Sequence, residues 1–283
     1  MSTVVIGATG QLGRLAVEAL LRRGVPAGEI VAVGRGIEKI ADLAERGVVV
    51  RRADFDDPPT LPAAVAGARR VLFISGSTAG KRIAQHHAVI AALAEVGPEL
   101  VAYTSITHAD TSDLILAQEH AATERALIDS GLPYSMLRNS WYLENYTDQL
   151  ATTLEHGLVG AAGDGRISAA IRADYAEAAA AVVAGDGHRN TVYELGGEPF
   201  TLTELAAVIS AESGREVRYT DLPEDGFVQV LVGAGVPEPF ARILADSDRG
   251  AAKGALEVSP EDLTRLIGRE PTTPAEAVRT ALG

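Results

Sequence analysis

The 283-residue chain contains no cysteine. That absence excludes disulfide bonds, zinc sites with thiolate ligands and cysteine nucleophiles. Lysine is nearly as scarce, since Lys39, Lys81 and Lys253 are the only three, and the formal net charge is −13. Because a surface that binds nucleic acid neutralises phosphates with clustered Lys and Arg, we expect no nucleic-acid partner.

Long hydrophobic runs are missing as well. No segment reaches the ~20 apolar residues that a membrane-spanning helix needs. The start, Met-Ser-Thr-Val-Val-Ile-Gly, lacks the basic stretch that opens a signal peptide. We therefore expect no membrane insertion and a cytoplasmic location, and the sequence leaves open whether the protein is a monomer or a homodimer.

Several catalytic patterns are also absent. No Tyr precedes a Lys by four residues on a helix, the pair with which short-chain dehydrogenases acidify a phenol. Tyr134 is followed by Arg138, but on a predicted strand, where four residues span roughly 13 Å. The sequence has no G-x-S-x-G elbow, and its six histidines show no H-E-x-x-H or similar spacing. We expect neither that acid pair nor a metal ion.

The chain does contain a regular alternation of short β-branched runs and longer helical patterns. This rhythm is typical of βαβ units and predicts a Rossmann-type α/β fold with a doubly wound parallel sheet. The predicted strands are 3–6, 30–34, 47–51, 70–74, 100–104 and 134–138. The predicted helices between them are 11–23, 37–46, 61–66, 81–96 and 118–130.

After residue 140 the pattern becomes mostly helical and rich in proline. Here we predict helices at 141–156, 173–184, 202–213, 224–234, 238–246 and 260–267, and short strands near 166–169, 191–195 and 217–220. We therefore expect a nucleotide-binding domain over 1–150 and a smaller lobe over 151–283. The strand at 191–195 is expected to return to the main sheet.

A glycine-rich turn follows the first predicted strand and opens the first helix. It comprises Gly7, Ala8, Thr9, Gly10, Gln11, Leu12 and Gly13. In this G-x-x-G-x-x-G spacing, the glycines permit a tight turn, backbone approach to a pyrophosphate and close packing of helix on strand. The motif predicts a dinucleotide site, although a merely tight turn would use the same glycines.

The end of the second strand bears on the choice of cofactor. NAD sites usually carry an acidic residue there, whereas an Arg accommodates the 2′-phosphate of NADP. The strand ends in Gly34-Arg35 with no carboxylate, so NADPH is the predicted cofactor, unless Arg35 is only a solvated strand-end residue. Asp54 and Phe55, after the third strand, are candidates for the adenine side, and Asp54 is equally suited to a turn.

Small and polar residues end the next two strands, where the nicotinamide half of a cofactor would lie. They are Ser75, Gly76, Ser77, Tyr103, Thr104 and Ser105.

Taken together, these residues resemble those of the NmrA-like atypical short-chain dehydrogenases. Within that family the chain is most similar to the members that reduce quinones, and the reductases of triphenylmethane dyes are near relatives. The residues that carry the resemblance are the glycine turn, Arg35, the Tyr103-Thr104-Ser105 strand end and the segment 137–146, with the stretches AYTS-x-x-HADTS, EHG-x-x-GAAGDG and LADSD-x-GA-x-KG.

The resemblance implies direct hydride transfer from NADPH to a quinone, without flavin or metal. Many relatives place a Lys four residues before a helical Glu near the nicotinamide. Here that Glu corresponds to Glu124 and the Lys position holds His120, which is either a donor of a proton or hydrogen bond or a plain helix-face residue.

The resemblance also places the acceptor beside the segment that follows the sixth strand. The candidate catalytic residues are Asn139, Tyr142 and His120. The candidate substrate-binding residues are Asn139, Ser140, Trp141, Tyr142, Leu143, Glu144, Asn145 and Arg172. Trp141 and Tyr142 would serve equally as core between the lobes, and Arg172 would equally pair with Asp174 at a helix start.

The alternative functions are an NADP(H)-binding redox sensor without turnover, and a reductase of cationic dyes.

Overall fold

A computed structural model describes residues 2–78 and 80–283, and these form nine strands and thirteen α-helices. The strands are β1 (Ser2–Ile6), β2 (Ile30–Gly34), β3 (Val49–Arg52), β4 (Ala68–Phe73), β5 (Leu100–Ile106), β6 (Tyr134–Asn139), β7 (Leu158–Gly160), β8 (Thr191–Leu195) and β9 (Tyr219–Asp221). The helices are α1 (Gln11–Arg22), α2 (Ala41–Glu45), α3 (Leu61–Val65), α4 (Arg82–Val96), α5 (Ile115–Asp129), α6 (Glu144–Thr147), α7 (Leu150–His156), α8 (Arg172–Ala184), α9 (Leu202–Ser213), α10 (Glu224–Gly233), α11 (Glu238–Ala251), α12 (Glu261–Ile267) and α13 (Pro274–Leu282).

Seven strands form one parallel sheet in the order β3-β2-β1-β4-β5-β6-β8. The chain runs outward from β1 to β3 and then returns to start again at β4, so β1 and β4 flank the point where the strand order reverses. In open sheets of this kind, ligands bind beyond the carboxyl ends of the strands at that point. The predicted doubly wound Rossmann-type fold is confirmed.

Both faces of the sheet are covered by helices, so its central strands are largely buried. All seven residues of β5 are buried. On one face, α1 and α8 enclose a core that includes Leu20, Leu72 and Val182. On the other, α3 and α4 enclose a core that includes Phe73 and Leu93.

Turn glycines end the helices in the first half of the chain. Gly97 stops α4 in the left-handed conformation, with φ of 65°, and its N–H donates to the carbonyl of Leu93. Gly131, with φ of 73°, follows the end of α5. Left-handed backbone at these positions favours glycine over any residue with a Cβ.

Three predictions about local structure are wrong. The helix predicted over 141–156 is divided into α6 and α7, and the strand predicted at 166–169 is a single bridge between Ile167 and Phe200. The first part of the helix predicted over 37–46 is a 3-10 turn, Ile37–Ile40. The prediction also missed β7 and α13.

Segments on both sides of residue 150 build the sheet domain. Strand β8 pairs with β6, and α8 packs against α1. Helices α9 and α13 pack around a separate apolar cluster that includes Phe200, Leu205 and Val278, whereas α12 packs against α8 and α10 packs against α11. The division into 1–150 and 151–283 therefore stays a prediction, with α8 and β8 lying on the sheet side of it. In the described part of the chain, no helix has both the length and the apolar character to cross a membrane.

Candidate active site

A cavity of about 550 Å³ lies over the carboxyl ends of β1, β4, β5 and β6. It brings together most of the residues that the sequence singled out. Those that line it are Gly7, Thr9, Gly10, Gln11, Leu12, Gly13, Arg35, Asp54, Phe55, Ser75, Gly76, Ser77, Thr104, Ser105, His120, Asn139, Ser140, Trp141, Tyr142, Asn145 and Arg172. Four others lie behind the lining: Ala8, Tyr103 and Leu143 are buried, and Glu144 is bonded to Arg172.

The three glycines of the turn meet three different steric demands. Gly7 has φ of 89°, a conformation that favours glycine. A Cβ at Gly13 would collide with the carbonyl oxygen of Gly7 and the Cα of Ala8, so α1 packs on the turn only without a side chain there. A Cβ at Gly10 would meet no atom closer than the Gly7 carbonyl oxygen at 3.4 Å. The fold itself therefore leaves room at Gly10, on the cavity side.

The N-terminus of α1 opens into this cavity. Gly10 is its N-cap, no side chain caps the helix, and the first turn carries no acidic residue. The first N–H groups of a helix lack partners within it and carry partial positive charge, which suits an anion such as a pyrophosphate. The glycine turn and this helix end together form a cradle that fits a dinucleotide.

Arg35 and Asp54 lie side by side in the cavity lining, beyond the carboxyl ends of β2 and β3. The Arg35 guanidinium is 66% exposed and stands 3.9 Å from an Asp54 carboxylate oxygen. The same oxygen of Asp54 accepts a hydrogen bond from the backbone N–H of Asp56 at 3.0 Å, so the turn interpretation of Asp54 holds alongside its place in the cavity. Phe55 packs edge-on against Phe73 and fixes this end of the wall.

Buried side chains hold the loop that follows β4. The N–H of Gly76 donates to Nε2 of His86 at 3.0 Å, and the Gly76 carbonyl accepts from Nε of Arg82 at 2.8 Å. Arg82 is itself buried and pairs with Glu119 at 2.9 Å. This part of the cradle therefore depends on Arg82 and His86 of α4 and on Glu119 of α5, which the sequence analysis did not assign to the site.

The hydrogen bonds around His86 settle its tautomer. Its Nε2 accepts from Gly76, so the proton sits on Nδ1 and is donated to Oγ1 of Thr123 at 2.9 Å. Thr123 gives its own hydroxyl proton to the carbonyl of Glu119 at 2.9 Å. Burial lowers the pKa of His86 to about 3, so the ring stays neutral at physiological pH.

The same reasoning extends to His120 through Tyr103. Because Nδ1 of His86 already carries a proton, the Tyr103 hydroxyl donates instead to Nδ1 of His120, at 2.8 Å. His120 is buried and lines the cavity, and burial holds its pKa well below the ordinary value. It is therefore a neutral imidazole whose proton sits on Nε2, which makes it a hydrogen-bond donor beside the cavity.

Among the residues that the structure describes, two buried polar atoms of the lining have no hydrogen-bond partner. They are Oγ of Ser105, at the end of β5, and Oδ1 of Asn139, at the end of β6. The two strands are paired in register here, with Ile106 opposite Asn139. Because an unpaired buried polar atom costs free energy, these two are suited to a polar ligand that completes them.

Tyr142 combines a donor with an aromatic face. Burial raises the pKa of its hydroxyl, which a hydrogen bond from Asn139 lowers in part. The guanidinium of Arg172 lies 4.7 Å from the ring centroid. Arg172 pairs with Glu144 at 3.7 Å and Asp148 at 3.8 Å.

The alternative pairing of Arg172 with Asp174 is wrong. Asp174 is fully buried and binds Arg269 instead, at 2.5 Å. Trp141 and Tyr142 line the cavity and also pack against the two apolar cores, so their substrate-binding role stays a prediction.

Glu124 does not reach the cavity. Its two carboxylate oxygens accept from Nε and Nη2 of Arg138 at 2.9 and 2.7 Å. Arg138 directly precedes Asn139, and Glu124 lies one turn after His120. This buried pair ties the end of β6 to α5 and holds both cavity residues in place.

Residues of α11 complete the lining, and the sequence analysis missed them. Phe240, Ile243 and Leu244 come to the cavity from a segment about a hundred residues beyond β6. Their i, i+3, i+4 spacing marks an apolar helix face. That pattern was visible in the sequence, but what the face packs against was not. Among the described residues, no group of three or more His, Asp or Glu side chains is arranged to hold a metal ion.

Comparison with known proteins gives several matches over most or all of the chain. The NmrA-like family matches residues 2–258. Quinone oxidoreductase 2 of Escherichia coli (strain K12) is 48% identical over 276 residues, which cover 97% of this chain and 96% of that protein. A crystal structure of the NADPH-dependent quinone oxidoreductase from Escherichia coli, complexed with NADPH, superposes with a TM-score of 0.96 at 47% identity, covering 99% of this chain and all of that one.

The triphenylmethane reductase of Citrobacter sp., complexed with NADP(H), superposes with a TM-score of 0.93 at 38% identity over 99% of this chain and 100% of that one. These matches confirm the resemblance that the sequence motifs indicated.

Proposed function

We propose that this chain, which belongs to the NmrA-like family, is an oxidoreductase that uses NADPH to reduce a quinone without flavin or metal. One observation carries the proposal. A dinucleotide cradle and two unpartnered buried polar atoms, Oγ of Ser105 and Oδ1 of Asn139, line the same cavity. The 48% identity to a quinone oxidoreductase supports the choice of acceptor.

The cofactor, when bound, supplies a hydride. Gly7, Gly10 and the open end of α1 bind its phosphates, and Arg35 binds the 2′-phosphate that distinguishes NADPH from NADH. Ser105, at the end of β5, hydrogen-bonds a ligand group through its unpartnered Oγ.

The acceptor lies against Tyr142 and Trp141. A quinone that takes up a hydride becomes a hydroquinone anion, whose negative oxygen needs a donor. Tyr142 can provide one, because it lines the cavity and burial raises the pKa of its hydroxyl, which therefore keeps its proton. His120 provides a second through Nε2. Both groups keep their protons at neutral pH, so solvent supplies the proton that completes the hydroquinone.

The test is NADPH oxidation followed by absorbance, with a benzoquinone, a naphthoquinone and a triphenylmethane dye run side by side. Quinone turnover supports the proposal, and turnover of the dye alone would replace it with the dye-reductase alternative. NADPH binding without turnover of any acceptor would favour the redox sensor.

Asn139→Ala links the chemistry to the site. Losing the group that orients Tyr142 is expected to lower kcat/KM for the quinone about tenfold, with NADPH affinity nearly unchanged. An unchanged rate would place the acceptor elsewhere.

A cytoplasmic location and the choice between monomer and homodimer stay predictions.

A further inference from the structure

Helix α11 presents apolar residues in two directions. Ala241 and Ala245 are buried and pack against Phe227 and Val228 of α10. One step around the helix, Phe240, Ile243 and Leu244 line the cavity instead. The two alanines fix the helix to its neighbour, and the three larger residues form a wall, called here the α11 wall.

The α11 wall is anchored rather than free to drift. Asp246, one turn beyond Ile243, is buried, and its Oδ2 accepts from the backbone N–H of Ile115 at 2.8 Å. Ile115 begins α5, the helix that also carries His120. Leu116, the next residue of α5, lines the cavity as well. This bond therefore ties the α11 wall to the start of α5, next to Leu116.

Within the described structure, no protein group covers the outer end of this wall. Phe240 is 53% exposed although it is a large aromatic residue. Ile115, at the start of α5, is 45% exposed. Apolar side chains gain free energy roughly in proportion to the area that they remove from water, so this end of the cavity is suited to an apolar ligand group.

The cofactor does not supply an apolar group for this end of the cavity. Its phosphates and riboses are polar, and their cradle lies along β1, β2 and α1. The polar groups suited to a quinone ring are Asn139, Tyr142 and His120, at the strand ends. The α11 wall belongs to the same cavity but offers apolar atoms only, so it matches a part of the acceptor that carries no polar atom.

We propose that Phe240, Ile243 and Leu244, with Leu116, form a subsite for an alkyl or prenyl substituent of the acceptor. This proposal rests on the proposed function, because it takes the acceptor to be a quinone. It narrows the substrate class to quinones with an apolar side chain. Since this contact is remote from the reacting atoms, it lowers KM without changing kcat.

The test compares two quinones that share one ring and differ only in the chain: 2,3-dimethoxy-5-methyl-benzoquinone and its 6-decyl derivative. For the parent protein, KM for the decyl compound should be lower. Phe240→Ala should raise that KM about tenfold, a typical effect of losing apolar contact in a pocket, and leave KM for the short compound within twofold. Phe240→Leu should recover part of the loss.

Val232→Ala is the matched control. Val232 is also an exposed apolar residue, 43% exposed, and lies on α10 outside the cavity lining. It should change neither KM. An equal rise in KM for both quinones in Phe240→Ala, or none for either, would overturn the subsite.

Binding can be measured apart from turnover, because Trp141 is the only tryptophan and lines the cavity. Each quinone should quench its fluorescence, and the ratio of the two Kd values should shift about tenfold in Phe240→Ala. A parent protein that turns over neither quinone refutes the proposed function. The shift in the Kd ratio still decides whether the apolar subsite exists.

Discussion

At the residue scale, the position of one proton on His120 decides what this side chain can offer a ligand. The Tyr103 hydroxyl donates to Nδ1, which leaves the proton on Nε2. Without Tyr103 the ring would be free to take either tautomer. Only part of the molecules would then carry the proton on Nε2 and donate it to a ligand. Tyr103 is therefore a positioning residue for His120.

Tyr103→Phe tests this directly. We expect the ring ¹⁵N chemical shifts of His120 to move from those of a single Nε2–H tautomer towards a mixture, and kcat/KM for the quinone to fall a few-fold. Tyr193→Phe is a matched control, because Tyr193 bonds to Nδ1 of His188 at 2.7 Å in the same way but away from the cavity. That variant should shift only His188. A single unchanged tautomer of His120 in Tyr103→Phe would show that another group sets it.

Arg35 makes a prediction about cofactor choice. A charge-assisted bond to the 2′-phosphate predicts that Arg35→Ala binds NADPH about 10- to 150-fold more weakly, with little change for NADH. Because Arg35 is largely exposed and faces Asp54, we expect the lower end of that range. Calorimetric titration with both cofactors measures it. An equal loss of affinity for NADPH and NADH would mean that Arg35 does not bind the 2′-phosphate.

At the element scale, the sheet was predictable and two later segments were not. Strands β1 to β6 follow from β-branched runs bounded by glycine turns, and their observed limits fall within two residues of the predicted ones. The helix predicted over 141–156 fails at its start for a tertiary reason. The Trp141 carbonyl accepts from the N–H of Ala170, and the Leu143 N–H donates to the Ala170 carbonyl. These backbone groups pair across the cavity wall, so no helix begins there.

The strand predicted at 166–169 fails for a similar reason. Ile167 exchanges both backbone bonds with Phe200, whereas Ser168 donates to Leu256. Because the segment divides its bonds between two partners, no ladder extends along it. Helix α13, by contrast, had a local signal: Thr273 and Glu276 form a capping box with a proline at its first turn.

The candidate site likewise has a part that the sequence predicts and a part that it does not. The cofactor cradle was predictable because its glycine turn is contiguous in sequence. The α11 wall and the supporting residues Arg82 and His86 were not, because only tertiary packing brings them to the cavity.

The turn before α1 gives a prediction at this scale. Gly10 has extended backbone, with φ of −87° and ψ of 168°, and room for a Cβ. Gly10→Val should therefore fold with nearly parental stability and lose binding of both cofactors, since the side chain occupies the phosphate site. Gly13→Val should instead destabilise the protein, because its Cβ collides with the Gly7 backbone. Thermal unfolding and calorimetry on the pair separate the two roles; retained NADPH binding by Gly10→Val would refute the placement of the phosphates.

At the scale of the whole molecule, buried titratable groups govern how stability depends on pH. The pKa of His86 is lowered by burial to about 3, and that of His120 is lowered in the same direction. The unfolded chain, with ordinary histidines near pKa 6.5, therefore binds more protons, and stability falls as the pH falls below about 6.5. Each such histidine contributes a slope of at most about 1.4 kcal/mol per pH unit.

Asp248 acts in the opposite direction. Burial raises the pKa of its carboxyl to about 6, above the ordinary value near 3.9. Its contribution to stability is therefore complete below about pH 4 and is lost as the pH rises through 6. Between those limits it offsets part of the slope that the buried histidines impose, so the parent protein should lose stability on acidification less steeply than those histidines alone would cause.

Asp248→Asn removes this offset and keeps an oxygen that can accept from the N–H of Ala161, as Oδ2 does at 2.8 Å. We expect the variant to be more stable than the parent at pH 7.5, where the parent buries a charge. Its advantage should shrink by up to about 1.4 kcal/mol per pH unit between pH 6 and 4.5. Urea unfolding at pH 4.5, 5.5, 6.5 and 7.5 measures both proteins. A difference that stays constant across this range would mean that Asp248 titrates like an exposed carboxyl, and that the acid sensitivity rests on the histidines alone.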